Sequence, residues 1–489
     1  PSIMNNPFLR FRKRSAFLSL VSILLFAAGV RAEESGDYTY WVDNGTSVTI
    51  SKYNGTDTVV EIPSEIAGLP VKTIGNNAFS DVTSLFEVII PDSVEVIGSW
   101  AFVNCSGLRL VELGTRVTQI QYGAFSSNYL LRVLFKGNAP TLEGYAFGEG
   151  TQRGFSLYYE AGATGFNSSE WEGYPCAQWD AATYEPWVYE VVNDEVVLYD
   201  YAGLAHDLTT PATIEGKPVT SIGQGAFNSH SGLTGTFTIG NSVTGIGFYS
   251  FPNCDGLSEI VIPASVTNMG GAFALYCAQL AAISVDPANP SYQSVDGVLF
   301  TKSLTSLFTC PAGKTSSYSI PEGVVWVENG AFDGCNALTG LHLSSTVTEF
   351  LAVPLLGWNG EVSLLQTITV DANNPSYSAS DGMLFSKDGK TLVSCPPGKT
   401  GNLVIPEGVT SIGSSAFYGC SGLDGALTLP STLQTIESQA FQDCSGLTGN
   451  LVIPEGVTSI GESAFDGCIG FDGALTLPST LQIIESYAF

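Results

Sequence analysis

Apolar positions along this chain come in short alternating runs separated by turn residues, not in stripes of helical period. Ile260-Val261-Ile262 and Leu451-Val452-Ile453 have the period of a strand with one face buried, and the prolines that follow, Pro263 and Pro454, suit a strand end. A second short strand, Val457-Thr458-Ser459-Ile460, is stopped by Gly461, and Ala464-Phe465 then offers a small and a large apolar side chain suited to a short helical or 3-10 turn. This unit recurs. Its Ala-Phe landmark ends at Phe79, Phe102, Phe125, Phe147, Phe227, Phe273, Phe332, Phe417, Phe441, Phe465 and Phe489, with Ser250-Phe251 as a variant. Within runs the spacing is 22 to 24 residues. One such coil cannot bury its own apolar face, whereas stacked coils cover each other, so the pattern predicts a β-rich repeat solenoid and not a globule.

Cysteine follows the same register. Six of the ten stand three residues after the landmark Phe (Cys105, Cys254, Cys335, Cys420, Cys444, Cys468), Cys277 stands four after Phe273, and Asn128 fills the slot in its own coil. Equivalent positions on successive coils should be alike, which favours a ladder of free buried thiols bonding the turn backbone over disulfides. No C-x-x-C pair exists and His206, His230 and His342 are scattered, so no metal site is expected.

A longer repeat is superposed. Ile283-Ser284-Val285-Asp286 through Asn289-Pro290-Ser291-Tyr292 and Asp296-Gly297-Val298-Leu299-Phe300 recurs 85 residues later, from Ile368 through Asn374-Pro375-Ser376-Tyr377 to Asp381-Gly382-Met383-Leu384-Phe385. Asp-Gly before an apolar run signals a hairpin, so each block (about 283–320 and 368–405) reads as an inserted hairpin extending one coil. The acids of these blocks match no calcium ligand spacing. The chain also starts twice: Trp41 to Pro63 leads into Ile66-Ala67-Gly68-Leu69-Pro70-Val71, and Trp187 to Pro211 into Ile214-Glu215-Gly216-Lys217-Pro218-Val219. Open ends of a stacked core need caps, so two starts imply two stacked arrays with hairpin caps. The expected division is 33–147 for the first array, 148–183 for its closing cap and linker, and 184–489 for a second array whose last coil ends without a cap.

Composition narrows the partners. The chain has 489 residues, 13% of them charged, with a net charge of −28. Five of its 18 basic residues lie in the first 32, where no acid occurs, so the remainder is more acidic still. Such a surface repels phosphate backbones and anionic lipid, which argues against nucleic acid and peripheral membrane binding. Residues 1–32 have the pattern of a signal peptide: a basic stretch from Arg10 to Arg14, an apolar run from Ala16 to Val30 and a Val30-Arg31-Ala32 cleavage site. That run is 15 residues, short of the roughly 20 a spanning helix needs, so the mature chain is expected to be secreted or on the cell surface with no membrane insertion.

The unit I-P-E-G-V-T-S-I-G-x-x-A-F-x-G-C-x-x-L, seen at Ile405 to Leu423 and approximated at Ile320 to Leu338, resembles the BspA-type leucine-rich repeat family. The V-D-x-x-N-P-S-Y blocks and the segment Leu157 to Gly165 are similar to that family as well, and the resemblance spans about residues 40–489. It implies a surface or secreted leucine-rich repeat protein, with adhesion to host or matrix proteins as the setting. Three departures stand out: Ser250 replaces Ala, Cys277 is shifted by one, and Leu351 to Leu365 lacks the landmark.

Leucine-rich repeats present a strand face whose outward positions alternate with buried ones. Here the candidate ligand face is Glu87, Ile89, Glu112, Glu259, Val261, His342, Thr428, Val452 and Thr476. Trp171, Trp179, Trp187 and Trp358 lie outside the repeat and read as cap packing or as a stacking surface. The chain contains no H-E-x-x-H, G-x-S-x-G or G-x-x-x-x-G-K-[ST] motif, so no catalytic residues or cofactor are expected. The reading is a non-catalytic binding or adhesion protein for an extracellular protein or glycan. Its alternatives are a structural spacer or envelope component, and the targeting region of a larger secreted enzyme.

Overall fold

The computed structural model describes residues 32–148, 153–167, 169–180, 186–350 and 363–489; the proposed signal peptide, Trp358 and most of the Leu351–Leu365 stretch lie outside the described residues. The chain divides into two units, Pro1–Ala181 and Ala182–Phe489.

Each coil gives a strand to each of two parallel sheets, usually one of four to six residues and one of two, while in the final coils both have two residues, as in Leu427–Thr428 and Leu451–Val452. In the first unit the longer strands are Val59–Glu61, Glu87–Ile90, Leu110–Leu113, Arg132–Phe135, Ser156–Tyr159 and Tyr174–Gln178. Their register is strict: Ile89 pairs Glu112 and Glu112 pairs Leu134. The segment 148–183 is therefore more than a lid, because Leu157 pairs Val133 and Cys176 as further rungs of the same sheet. The antiparallel strand Glu170–Trp171 then closes it. Two-residue strands Val96–Ile97, Gln119–Ile120 and Thr141–Leu142 stack on Leu69–Ile74, which follows the hairpin Tyr38–Asp43/Ser47–Tyr53. The second unit opens alike, with hairpin Trp187–Val192/Glu195–Tyr201 turning at Asn193-Asp194, both at positive φ.

The core is the sum of equivalent positions. Landmark rings stack at coil spacing: Phe79 on Phe102 at 4.7 Å, Phe102 on Phe125 at 5.0 Å, Phe417 on Phe441 at 4.7 Å and Phe441 on Phe465 at 5.0 Å. The helical or 3-10 turns expected at the landmark are absent among the described residues. Backbone geometry explains this. Two left-handed residues bracket each landmark, as in Trp100 (φ 54) and Asn104 (φ 59) around Ala101-Phe102, or Gln439 (φ 59) and Asp443 (φ 59) around Ala440-Phe441. A right-handed helix cannot pass through such residues, so the segment runs as linked turns.

The inserted blocks are three-stranded meanders that end one pair of sheets and begin the next. Tyr292–Val295, Val298–Thr301 and Ser306–Thr309 pair antiparallel, and the third strand then pairs Trp326–Val327 in parallel. Tyr377–Ser380, Met383–Ser386 and Thr391–Ser394 repeat the arrangement. Both tight turns, Asp296-Gly297 and Asp381-Gly382, hold two positive φ angles, the form that two-residue hairpins favour. Asn289 and Asn374 pin the blocks to the coil before. Asn289 donates to Pro263 O and Val266 O at 2.8 and 2.9 Å and accepts from the N–H groups of Ser291 and Tyr292 at 2.8 Å. Asn374 repeats all four bonds with Ser344, Val347, Ser376 and Tyr377.

Candidate binding face and thiol ladder

The outward positions of one strand per coil carry the candidate ligand face, some engaged with neighbouring strands and some facing solvent. Glu87, Ile89 and Glu112 sit half-buried between fully buried Val88, Ile90, Val111 and Leu113. Burial, then the neighbouring Glu112 and Glu61 carboxylates, push the Glu87 carboxyl above its ordinary value. Glu112 is paired with Lys136, the residue after the strand Arg132–Phe135. The outward rows of the first unit are therefore mixed: Ile89, Glu112 and Leu134 in one, Glu87, Leu110 and Arg132 in the other.

The remaining candidates fall on four separate sheets of the second unit. Glu259 and Val261 share the strand Leu257–Ile262, where Glu259 accepts from the Ser284 hydroxyl and Val261 lies between Thr238 and Ser284. His342 lies between Ser319 and Thr369, its Nδ1 2.9 Å from Thr369 Oγ1. Thr428 pairs Val404, and Val452 pairs Thr476; all four are exposed. The meanders separate the Glu259 and Val261 coil, the His342 coil and the final coils, whereas Thr428 and Val452 lie on successive coils joined by the Ala426–Thr448 bridge.

Of the tryptophans outside the repeat, Trp171 is buried edge-on against Phe135 and Phe166 at 5.5 and 4.9 Å. Trp179 packs on Tyr158 and Trp187 on Tyr201, so all three serve the caps.

The thiol ladder is explicit. Cys105, Cys254, Cys277, Cys444 and Cys468 each donate from Sγ to the carbonyl of Phe79, Phe227, Phe251, Phe417 and Phe441, one coil back, at 2.9 to 3.0 Å. Cys335 donates to Cys310 O and Pro311 O at 3.5 Å, and Cys420 faces the Cys395 thiol. Asn128 substitutes its Nδ2 for the thiol and bonds Phe102 O at 2.8 Å. All ten cysteines are free. Burial pushes the Cys105 thiol up to about 12, so it stays protonated and inert.

Two features corrected the sequence register. Cys277 is not shifted: Phe251 N bonds Phe273 O where other coils use the landmark Ala carbonyl, so Phe273 fills the Ala slot and Ala274 the Phe slot. His230 was missed as a rung, although it stands three residues after Phe227. Its Nε2 lies 2.6 Å from Tyr201 O, with Asp200 at 3.7 Å. Sequence reading also passed over Trp100, Tyr122 and Tyr145, exposed rings on three successive coils. Their signal was available, since Trp100 and Tyr145 directly precede the landmark Ala.

The profile of the BspA type leucine rich repeat region matches in six copies over residues 58–157, 208–312, 305–352 and 398–489. Among solved structures, the chain is similar to a leucine rich cell surface protein of Faecalibacterium prausnitzii at 23% identity and TM-score 0.36, covering 92% of this chain and 95% of that one. A leucine-rich repeat protein of Eubacterium ventriosum shares 20% identity at TM-score 0.37, covering 89% and 94%. The pneumococcal vaccine antigen PcpA shares 17% at TM-score 0.29, covering 94% and 86%. No curated protein matches. With repeat, ladder and profile in one register over most of its length, the chain belongs to the BspA-type leucine-rich repeat family.

Proposed function

We propose that this is an exported, non-catalytic binding protein that recognises an extracellular protein or glycan through the outward side chains of a strand face. The observation that carries the reading is the contrast between committed and uncommitted groups. Most ladder thiols bond carbonyls, and the buried His230 bonds Tyr201 O. Thiols buried and bonded in this way are structural parts, whereas Val404, Val452, Thr428 and Thr476 face solvent. An exposed apolar and hydroxyl surface on a rigid sheet suits recognition.

Solid-phase binding of the folded chain to matrix glycoproteins and polysaccharides tests this. Saturable binding lost in Val452→Arg/Thr428→Arg is the expected result, and no saturable binding to any of the panel favours a spacer. Export is tested separately by fusing residues 1–32 to a reporter active only outside the cytoplasm.

A further inference from the structure

In the first unit an aromatic series runs along the stack on the landmark turns, away from the strand face. Trp100, Tyr122 and Tyr145 belong to successive coils and are 44%, 42% and 50% exposed. Trp100 meets Tyr122 at 5.5 Å and Tyr122 meets Tyr145 at 5.7 Å, both edge-on. Trp100 leans over a glycine of the next coil, since a Cβ at Gly123 would lie 2.7 Å from Trp100 Nε1, and Tyr122 lies over Gly144, where a Cβ would make ordinary contact at 3.6 Å. Gly123 is the position that lets Trp100 lie over the next coil.

A second observation is independent of exposure. Trp100 and Tyr145 hold left-handed backbone, φ 54 and 60, in the slot that Asn77 and Gly123 occupy in neighbouring coils. A bulky side chain there is strained, and half-exposed rings recover little by burial. The slot holds Ala272, Ser415, Gln439 and Ser463 in other coils, as well as Tyr249 and Tyr487, so the fold does not require an aromatic there.

Resting on the binding reading above, we infer that Trp100, Tyr122 and Tyr145 form a stacking platform for a neutral, β-linked polysaccharide chain lying along the coil stack. Edge-on contacts at each step make Trp100 and Tyr145 alternate members of the series. Two coil spacings separate them, about 10 Å at about 4.8 Å per strand. An extended β-linked pyranose chain repeats every two sugars over that length, presenting the same apolar sugar face to alternate rings. Polar groups flank the stripe for the sugar hydroxyls: the exposed Glu143 carboxylate accepts from Gln119 Nε2 at 2.9 Å and from Tyr122 N at 3.3 Å. The net charge of −28 selects against sulfated or uronic chains.

The test is affinity electrophoresis of the folded full chain through gels containing hydroxyethylcellulose, mixed-linkage β-glucan or xylan, with polygalacturonate as the anionic comparison. Retardation by a neutral glycan is expected, weakened about tenfold or more in Trp100→Asn/Tyr145→Asn. Because Asn suits the left-handed slot, that variant should melt no lower than the parent, which separates lost binding from lost folding. Tyr122→Ala should weaken retardation too, while Trp41→Ala, an exposed ring in the opening hairpin, should not. Undiminished retardation in the Asn variant, or retardation by polygalacturonate alone, overturns the inference. So does no retardation by any gel. If protein partners still bind saturably in that last case, the inference falls and the general binding reading stands.

Discussion

Single residues in this fold are judged by whether a slot's hydrogen bonds are filled, and two ladder positions make that measurable. Asn128 donates to Phe102 O and Phe125 O, but its Oδ1 is buried without a partner among the described residues. Asn128→Cys keeps the donor and removes the orphan acceptor, so denaturant unfolding should show a gain of about 1 kcal/mol. Asn289 is the opposite case, with all four bonds made and no exposure. Asn289→Ala should cost about 3 kcal/mol, since two carbonyls and two N–H groups lose their partner inside the core. Asp333 brings in pH. Burial pushes its carboxyl up from 3.8 to about 6, so the folded chain holds this proton more tightly than the unfolded one. Stability from this group is therefore greatest below pH 4 and falls as pH rises towards 6, costing about 3 kcal/mol by pH 7. Asp333→Asn should flatten that part of the pH–stability curve and raise the neutral-pH midpoint. None of these three behaviours was legible in the sequence, because letters give the slot and not the bonds within it.

Coils communicate through turn-to-turn clasps as well as through strands. Glu407 accepts from Ser431 N and Oγ at 3.0 and 2.9 Å, Glu455 does the same with Ser479, and Glu322 with Ser345. Bonds from the Ser431 backbone and hydroxyl hold the Glu407 carboxyl below its ordinary value. A lowered folded value means the clasp stabilises above the ordinary carboxylate range and is lost as pH falls through it. Glu407→Gln should therefore leave a shallower decline in melting temperature on acidification between about pH 5 and 3. At this scale much was legible: both strands of each coil, the Pro and Gly that end them and the ladder slot all follow from local pattern. The landmark turns were not. Left-handed slots filled by Trp100, Asn104, Gln439 and Asp443 carry no glycine to announce them, and the same letters read as a helical turn. Matching Ala-Phe by letter also misplaced Phe273, because either of two adjacent apolar residues can fill the large slot.

Across the second unit the meanders decide how far one coil's stability reaches. Strand Val298–Thr301 is buried on both sides: Leu299 joins the apolar cluster that begins at Val196, while Val298 and Phe300 join the cluster that ends at Leu384. Met383–Ser386 is shared in the same way, with Leu384 facing back and Met383 and Phe385 facing the final coils. The repeated block was plain in the sequence, but its role was not, since three consecutive buried residues look alike whether one core or two receives them. Stacked repeats gain stability mainly from nearest neighbours, so a strand shared by two cores is the joint through which segments are coupled. Phe300→Ala should remove about 3 to 5 kcal/mol from the middle segment. Hydrogen exchange read by mass spectrometry should then show lost protection across Ser316–Ser319, Leu338–Leu343 and Thr367–Val370, with Leu451–Val452 unchanged. Leu299→Ala should instead expose Leu233–Thr238 and Leu257–Ile262, although the two substitutions are one residue apart. Equal loss across all three segments in both variants would show the unit unfolding as a single body, and the meanders would then be ornaments on a continuous stack instead of its joints.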